Sequence, residues 1–249
     1  MNSENNSKVK KNRKGFFYNF CYDFVRITGA LPVLIWMRPK VYYPYGKKKL
    51  KGSLLITANH RGYLDPISVH IAFPFKRLNC LATKDLYNTK LKAKFFNQMH
   101  CIMVDKENFT VSAFHDVVER LNDGCTVLIF PEGRINNSQN DTLLAFKSGA
   151  ALMAHKANAP ILPVYIVKRD KWYHRQRVVV GEPFYIENDG GRMLSLDQLN
   201  TVSENLRQKE LALREYFESL PIYKKLSTKT ETEQSDERDD KIYDEQTVL

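Results

Sequence analysis

Cysteine is scarce in this chain, and its spacing excludes two kinds of site. The four cysteines, Cys21, Cys80, Cys101 and Cys125, lie far apart in 249 residues and form no C-x-x-C pair. Because no candidate ligands have finger-like spacing, we expect neither a structural zinc site nor any other metal site. With no recognisable signal peptide, the cysteines are expected to be reduced, mostly buried thiols of a protein that faces the cytosol.

Several nucleotide-binding and hydrolytic signatures are also absent. The chain has no G-x-G-x-x-G, no G-x-x-x-x-G-K-[ST], no G-x-S-x-G and no H-E-x-x-H. These absences argue against dinucleotide binding, P-loop NTPase activity, elbow-type serine hydrolysis and zinc-dependent proteolysis. No helix-turn-helix, finger or ribonucleoprotein motif is found either, so we expect no nucleic-acid partner.

The N-terminal segment lacks a hydrophobic run long enough to cross a bilayer. Its longest uncharged apolar run, residues 30–37, has eight residues and includes Pro32, whereas a spanning helix needs roughly 20. Read as a helix, residues 15–37 place Asn19, Asp23 and Arg26 opposite an apolar face that contains Phe17, Phe20, Cys21, Phe24, Val25 and Thr28. Behind a basic leader, this pattern predicts a helix that lies in the membrane interface; a helix that covers the domain core is the alternative.

Positive charge is what the chain has in excess. It carries 38 Lys and Arg against 28 Asp and Glu, a formal net charge of +10. Residues 1–14 contribute +4 and residues 227–249 contribute −5, so the body between them carries +11. A basic body indicates an anionic partner, such as nucleic acid, an anionic membrane surface or a phosphorylated molecule.

Short apolar runs alternate with helical patterns through the body of the chain. Strands are predicted at 53–58, 77–84, 101–105, 125–132, 160–167 and 175–184, and helices at 66–73, 88–99, 109–122, 143–157 and 196–219. This alternation predicts an α/β fold with a largely parallel, buried sheet flanked by helices. We expect three parts: a basic leader and interfacial helices (1–40), the α/β domain (41–226) and an acidic, disordered tail (227–249).

A histidine and an aspartate follow the first predicted strand, in TANHRGYLDPIS (residues 57–68). Ligands of open α/β sheets bind beyond the carboxyl ends of the strands, where His60 lies. Asp65 is a favourable N-cap before Pro66, and the four residues between allow its carboxylate to fold back onto the imidazole. Such a pair fixes the histidine tautomer and leaves the other ring nitrogen to take a proton. On spacing alone, a capped turn with an incidental histidine is the simpler interpretation.

Charged side chains also end three later strands. In LIFPEGRI (residues 128–135), Gly133 permits close backbone approach to a ligand, and Arg134 supplies a planar fork suited to phosphate. Glu132 is placed to accept hydrogen bonds from ligand hydroxyls or to orient that arginine. A lysine follows each of two further strands, which predicts a phosphate pocket on one rim formed by Lys84, Lys106 and Arg134.

Four blocks in this order, NH-x4-D, V-D-K, F-P-E-G and A-P-I-L-P-V, resemble the glycerolipid acyltransferase family. They are most similar to its bacterial 1-acylglycerol-3-phosphate (lysophosphatidic acid) acyltransferases. The resemblance covers about residues 40–185. It implies that His60 is the general base on the acceptor hydroxyl and that Asp65 is its partner. It also implies that the phosphate of the acceptor is held by Lys84, Lys106 and Arg134, and that its glycerol site is shaped by Glu132 and Gly133.

The implied reaction moves a fatty acyl group from acyl-CoA or acyl-carrier protein to the sn-2 hydroxyl of 1-acylglycerol 3-phosphate. The product would be phosphatidic acid for phospholipid biosynthesis, and no cofactor beyond the thioester co-substrate is expected. Backbone N–H groups around residues 60–62, or at the helix start near Asp65, are candidates for the oxyanion hole. The lipid substrate and the basic charge imply an anionic membrane partner, with the enzyme peripheral or monotopic at the cytoplasmic face of the cell membrane.

Three positions depart from the pattern of this family. His100 stands where glycine is usual, Lys106 where arginine is usual, and Arg134 follows Gly133 directly. These departures leave open another acceptor for the same chemistry, either glycerol 3-phosphate or a lyso-aminolipid. A non-catalytic lipid-binding module at the membrane surface is a hypothesis of a different class, in which His60 and Asp65 would be dispensable.

Overall fold

A seven-stranded sheet organises the part of the chain that the computed structural model describes, residues 16–105, 111–138, 142–169, 174–187 and 194–223. The strand order is β1-β7-β6-β2-β5-β3-β4. All neighbouring pairs are parallel except β6 and β7. The strands are β1 (Lys40–Tyr42), β2 (Leu54–Ala58), β3 (Leu78–Thr83), β4 (Ile102–Val104), β5 (Thr126–Ile129), β6 (Ile161–Val167) and β7 (Arg177–Val180). The predicted α/β fold with a largely parallel sheet is confirmed.

Six α-helices within the described residues flank this sheet. They are α1 (Phe16–Met37), α2 (Asp65–Ala72), α3 (Lys90–Gln98), α4 (Val111–Asn122), α5 (Gly149–Ala157) and α6 (Leu196–Ser219). A one-turn 3-10 helix, Lys84–Tyr87, follows β3. The predicted basic leader and acidic tail lie outside the described residues, and the domain boundaries stay a prediction.

The central strand β2 shows how the sheet is buried on both faces. Leu54 and Ile56 point into one core cluster beneath α2, while Leu55 points into a second cluster beneath α4, α5 and α6. Alternate side chains of a strand point to opposite faces, so a strand buried on both sides is apolar throughout. This burial holds β2 and its carboxyl end in a fixed position between β5 and β6.

Strand direction brings five connections to one edge of the sheet, called here the catalytic edge. Strands β2, β3, β4, β5 and β6 run in the same direction, so the residues that follow them emerge side by side. The catalytic edge therefore carries the connections after β2 and β5, which contain the histidine and the F-P-E-G block. It also carries the residues that directly follow β3, β4 and β6: Lys84, Asp105 and Lys168.

Two element boundaries differ from the sequence prediction for physical reasons. The helix predicted from residue 143 begins at Gly149. The preceding segment is instead bonded to the F-P-E-G block, because Leu144 N donates to Glu132 Oε2 and Lys147 N donates to the carbonyl of Pro131. A short strand, β1, lies outside the predicted strands and forms because its three residues pair with β7 at the sheet border.

Helix α1 packs on the domain through its polar side. Tyr22 is fully buried and its hydroxyl accepts a hydrogen bond from Leu78 N at 2.8 Å. Asp23 pairs with Arg77 at 2.6 Å. On the other side of the helix, exposed apolar side chains include Phe20, Phe24, Ile27, Leu34 and Ile35. The apolar face therefore has no cover from the described part of the domain.

None of the helices in the described ranges combines the length and the apolar character that crossing a bilayer requires.

Candidate active site

The turn after β2 brings His60 and Asp65 into direct contact. His60 Nδ1 lies 2.9 Å from Asp65 Oδ2. The same carboxylate oxygen accepts hydrogen bonds from Arg61 N at 2.5 Å and Gly62 N at 2.7 Å. A carboxylate that accepts two backbone donors is best matched by a third donor, so the proton of the neutral imidazole belongs on Nδ1. His60 Nε2 then carries the lone pair that can take a proton.

Asp65 reaches His60 because it lies inside the helix that it was predicted to cap. Leu64 occupies the N-cap position, without a side-chain hydrogen bond, and Asp65 is the first residue of α2. Pro66 follows at the start of the helix, where its missing N–H costs no hydrogen bond. The aspartate thus points back across the loop to the imidazole and its neighbours, which corrects the predicted cap geometry.

The F-P-E-G block lies against the other side of this turn. The ring of Phe130 stacks on that of His60, with centroids 4.1 Å apart and planes 18° apart. Glu132 Oε1 accepts from His60 N at 2.9 Å. Its other oxygen, Oε2, accepts from Asn136 Nδ2 and from Leu144 N. Both oxygens of this buried carboxylate therefore bond to the protein, and Glu132 fixes the backbone that carries the histidine.

Gly133 occupies a position that only glycine adopts without strain. Its φ is +69°, and a Cβ placed there would lie 2.7 Å from Cε of Lys147. The side chain of Lys147 thus runs across the glycine and brings a cation to the F-P-E-G block. The sequence analysis did not single out this lysine, because Lys147 fell within the predicted helix 143–157. The helix in fact begins at Gly149, two residues after Lys147.

The predicted phosphate-binding cations differ in how they are placed. Lys84 begins the 3-10 helix after β3 at the catalytic edge and is exposed. Arg134 is exposed beside Gly133, and no hydrogen bond or ion pair joins it to the described part of the protein. Lys106 lies outside the described residues. The structure therefore places two of the three cations at the catalytic edge, and their role in phosphate binding stays a prediction.

A cleft of about 550 Å³ opens beside the histidine–aspartate pair on its β6 side. Burial lowers the pKa of Arg61, whose guanidinium donates to the carbonyl of Ser138. Burial also lowers the pKa of Arg169, which lies over the ring of Trp36 in α1, 5.3 Å from its centroid. Charged residues that line the cleft are Arg61, Asp65, Lys168 and Arg169. Neither arginine at the β6 side was singled out from the sequence, because each looked like an ordinary loop cation.

Asn59 fixes the carboxyl end of β2 to β6. Its Nδ2 donates to the carbonyl of Ile166 at 3.0 Å, and its Oδ1 accepts from Ile166 N at 2.7 Å. This two-bond contact stands directly before the histidine and sets where the turn leaves the sheet. The asparagine of NH-x4-D is thus a positioning residue, although the pattern alone gave no reason to choose it.

Across the described residues, no group of three or more His, Cys, Asp or Glu side chains has the arrangement of a metal site.

The sequence that forms this site matches a known protein family. The family described as Acyltransferase matches residues 39–167, just over half of the chain, and the match includes the turn after β2 and the F-P-E-G block. The chain belongs to the acyltransferase family.

Two relatives by sequence and one solved structure are similar to this chain. The 1-acyl-sn-glycerol-3-phosphate acyltransferase of Bacillus subtilis is 26% identical over 214 residues, which is 82% of this chain and 100% of the relative. A probable enzyme of the same name from Mycoplasma genitalium is 30% identical over 168 residues, 64% of this chain and 62% of the relative. The crystal structure of the lysophosphatidic acid acyltransferase PlsC from Thermotoga maritima superposes with a TM-score of 0.59 at 19% identity and covers 82% of each chain. That likeness shows the fold.

Proposed function

We propose that this acyltransferase moves a fatty acyl group from an acyl thioester to the sn-2 hydroxyl of 1-acylglycerol 3-phosphate. The observation that carries the proposal is the contact of Asp65 with His60, which leaves His60 Nε2 available at the catalytic edge. The names of the relatives support the choice of acceptor. A lipid-binding module without chemistry would not need this pair, and the departures at Lys106 and Arg134 keep glycerol 3-phosphate and a lyso-aminolipid as acceptors to be tested.

The reaction needs no nucleophile from the protein. The acceptor hydroxyl attacks the thioester carbonyl while His60 Nε2 takes its proton, and Asp65 stabilises the imidazolium that forms. The tetrahedral intermediate then expels the thiolate, which receives the proton from His60. Holding the two substrates together lowers the barrier further, because a bimolecular step becomes effectively unimolecular.

The oxyanion is stabilised by something other than the backbone of residues 60–62. His60 N donates to Glu132, while Arg61 N and Gly62 N both donate to Asp65. These three donors were candidates for an oxyanion hole, and their existing bonds make that assignment wrong. The other predicted candidate, the backbone N–H groups at the helix start near Asp65, stays a prediction. We propose that the positive field of the cations at the catalytic edge also acts on the charge as it develops.

Acceptor phosphate is assigned to the β5 side of the histidine. Lys84 and Arg134 lie at this edge and are exposed, so their charges are available to a ligand. Lys147 joins them through its position across Gly133. An arginine fork with two point charges suits a phosphate monoester.

An assay with purified full-length protein tests the proposal. We expect transfer of a radiolabelled acyl group from acyl-CoA or acyl-carrier protein to lysophosphatidic acid in mixed micelles, with the product migrating as phosphatidic acid. Glycerol 3-phosphate and a lyso-aminolipid, each at the same concentration, serve as competing acceptors. Faster acylation of either alternative would move the proposal to that acceptor, and no transfer with any of them would contradict it.

We further propose that α1 lies in the surface of an anionic membrane, at the cytoplasmic face of the cell. Its polar side already packs on the domain through Tyr22 and Asp23, so its exposed apolar face is free to enter lipid. The net charge of +10 would add attraction to anionic headgroups. Placing α1 there brings the enzyme to a substrate and a product that both reside in the bilayer.

Substitution of the exposed face of α1 is expected to release the protein from vesicles. Each large apolar side chain that enters lipid contributes roughly 1.5–3 kcal/mol, so Ile27→Ser should weaken binding roughly 10- to 100-fold and Phe24→Ser/Ile27→Ser more. Leu196→Ser is the matched control, since Leu196 and Ile27 are each 67% exposed. Co-sedimentation with vesicles that contain phosphatidylglycerol measures the effect. Equal sedimentation of the double variant and wild type would show that another surface binds the membrane.

A further inference from the structure

A second basic cleft, of about 630 Å³, lies at the opposite edge of the sheet from His60. It opens where β2, β3 and β5 begin, and it is called here the amino-edge cleft. The five residues of β2 separate it from the catalytic edge by about 16 Å at the usual rise of a strand. Its basic lining residues and histidine are Arg26, Lys51, Lys76, Arg77, Arg120 and His100.

Arg120 is a buried cation held by neutral groups. It is 8% exposed, and its Nη1 donates to Asn79 Oδ1 and to the carbonyl of His100. Its Nε is buried without a hydrogen-bond partner, and no carboxylate of the described residues forms an ion pair with it. A buried charge is costly unless an opposite charge meets it. The guanidinium therefore presents a positive charge that the protein itself leaves uncompensated.

His100 lines the same cleft in a backbone conformation that favours glycine. Its φ is +58°, which explains why glycine is usual at this place in the family pattern. The imidazole stacks on Tyr22 of α1, with centroids 4.5 Å apart, and the residue is 4% exposed. Retaining a side chain at this position fills the wall of the cleft with a polar ring beside Arg120.

Cations outnumber carboxylates in the amino-edge cleft. Arg26 and Arg77 share one carboxylate, that of Asp23. Burial lowers the pKa of Lys76, which is half-buried, while Lys51 is exposed at the rim. One further acid, Asp123, is among the described lining residues. Five cations therefore face two carboxylates.

We propose that the amino-edge cleft binds a phosphate group at a site separate from acyl transfer. A doubly charged oxyanion fits the excess of cations, because guanidinium groups bond to its oxygens in pairs and ammonium groups add point charges. The volume of the cleft exceeds that of a phosphate ion and also admits a glycerol headgroup. Its border with α1 places it beside the helix whose other face is apolar, so the phosphate is free in solution or part of an anionic lipid.

Histidine NMR of the full-length protein tests this site directly. The chain has six histidines, and the His100→Gln variant assigns the His100 ring resonance. We expect inorganic phosphate to move that resonance saturably, relative to chloride at equal ionic strength. Lys51→Gln/Lys76→Gln should weaken binding roughly tenfold, because two charged contacts are lost. The matched control, Lys92→Gln/Lys156→Gln, removes two exposed lysines that line neither cleft and should bind as wild type does.

Short-chain lipids identify the source of the phosphate. If dioctanoyl phosphatidic acid moves the His100 resonance at a tenfold lower concentration than inorganic phosphate does, the cleft binds a lipid headgroup. If the two move it at equal concentrations, the cleft binds the phosphate group itself. Dioctanoyl phosphatidylcholine, which carries no net charge, should leave the resonance in place. The proposal is overturned if neither phosphate nor phosphatidic acid moves the His100 resonance, or if Lys51→Gln/Lys76→Gln responds as wild type does.

Discussion

His60→Ala is expected to lower kcat for acyl transfer by roughly 10²–10⁴-fold, the usual contribution of a positioned base. The substitution removes the Nε2 lone pair that would take the acceptor proton, while the cations assigned to phosphate binding stay in place. KM for lysophosphatidic acid should therefore change little. The side chain of His60 is 19% exposed, so its truncation leaves most of the core intact.

The control for this variant is His115→Ala, which removes an exposed imidazole from α4. Both proteins are compared with wild type for initial rates across acceptor concentrations and for thermal midpoint. Wild-type turnover in His60→Ala would show that another group takes the proton. A His60→Gln variant, which keeps a polar side chain of similar length without the base, should be as slow as His60→Ala if proton transfer is what was lost.

The secondary structure was most predictable where local patterns and tertiary contacts agree. Helix α6 has the predicted bounds because Ser195 and Gln198 form a capping box and an apolar stripe follows them. The segment before Gly149 has a helical pattern as well, yet its backbone donors bond to Glu132 and Pro131 instead. Tertiary hydrogen bonds overrode a local preference there, and no local pattern reports them.

The candidate site was predictable in its local part and not in its long-range part. Asp65 is only five positions after His60, so the contact between them could be expected from spacing and turn chemistry. The bond of Glu132 to His60 N joins residues 72 apart, and the Asn59–Ile166 contact joins residues 107 apart. From the sequence alone, a carboxylate that bonds to a distant part of the chain cannot be distinguished from one that is available to bind a ligand.

Asp65→Asn is expected to slow acyl transfer by roughly 10- to 100-fold with little loss of stability, because a hydrogen bond to a charged group contributes about 1.5–3 kcal/mol. Its amide oxygen can still accept from Arg61 N and Gly62 N, which keeps the turn after β2 folded. The same oxygen also faces His60 Nδ1, so all three bonds can survive, but the amide carries no negative charge. It therefore no longer stabilises the imidazolium that forms when Nε2 takes the acceptor proton, and the base is weaker.

A comparison of two substitutions separates this charge effect from a structural one. Asp65→Ala leaves both backbone donors without their acceptor, so its thermal midpoint should fall, whereas Asp65→Asn should melt close to wild type. Asp197→Asn, an exposed change in the first turn of α6, is the matched control. Initial rates and melting curves of the three variants are compared with those of wild type. Near-normal turnover in Asp65→Asn would mean that Asp65 holds the turn without its charge stabilising the imidazolium. Slow turnover with unchanged melting would place its contribution in the chemistry, because the hydrogen-bonded turn would then be intact.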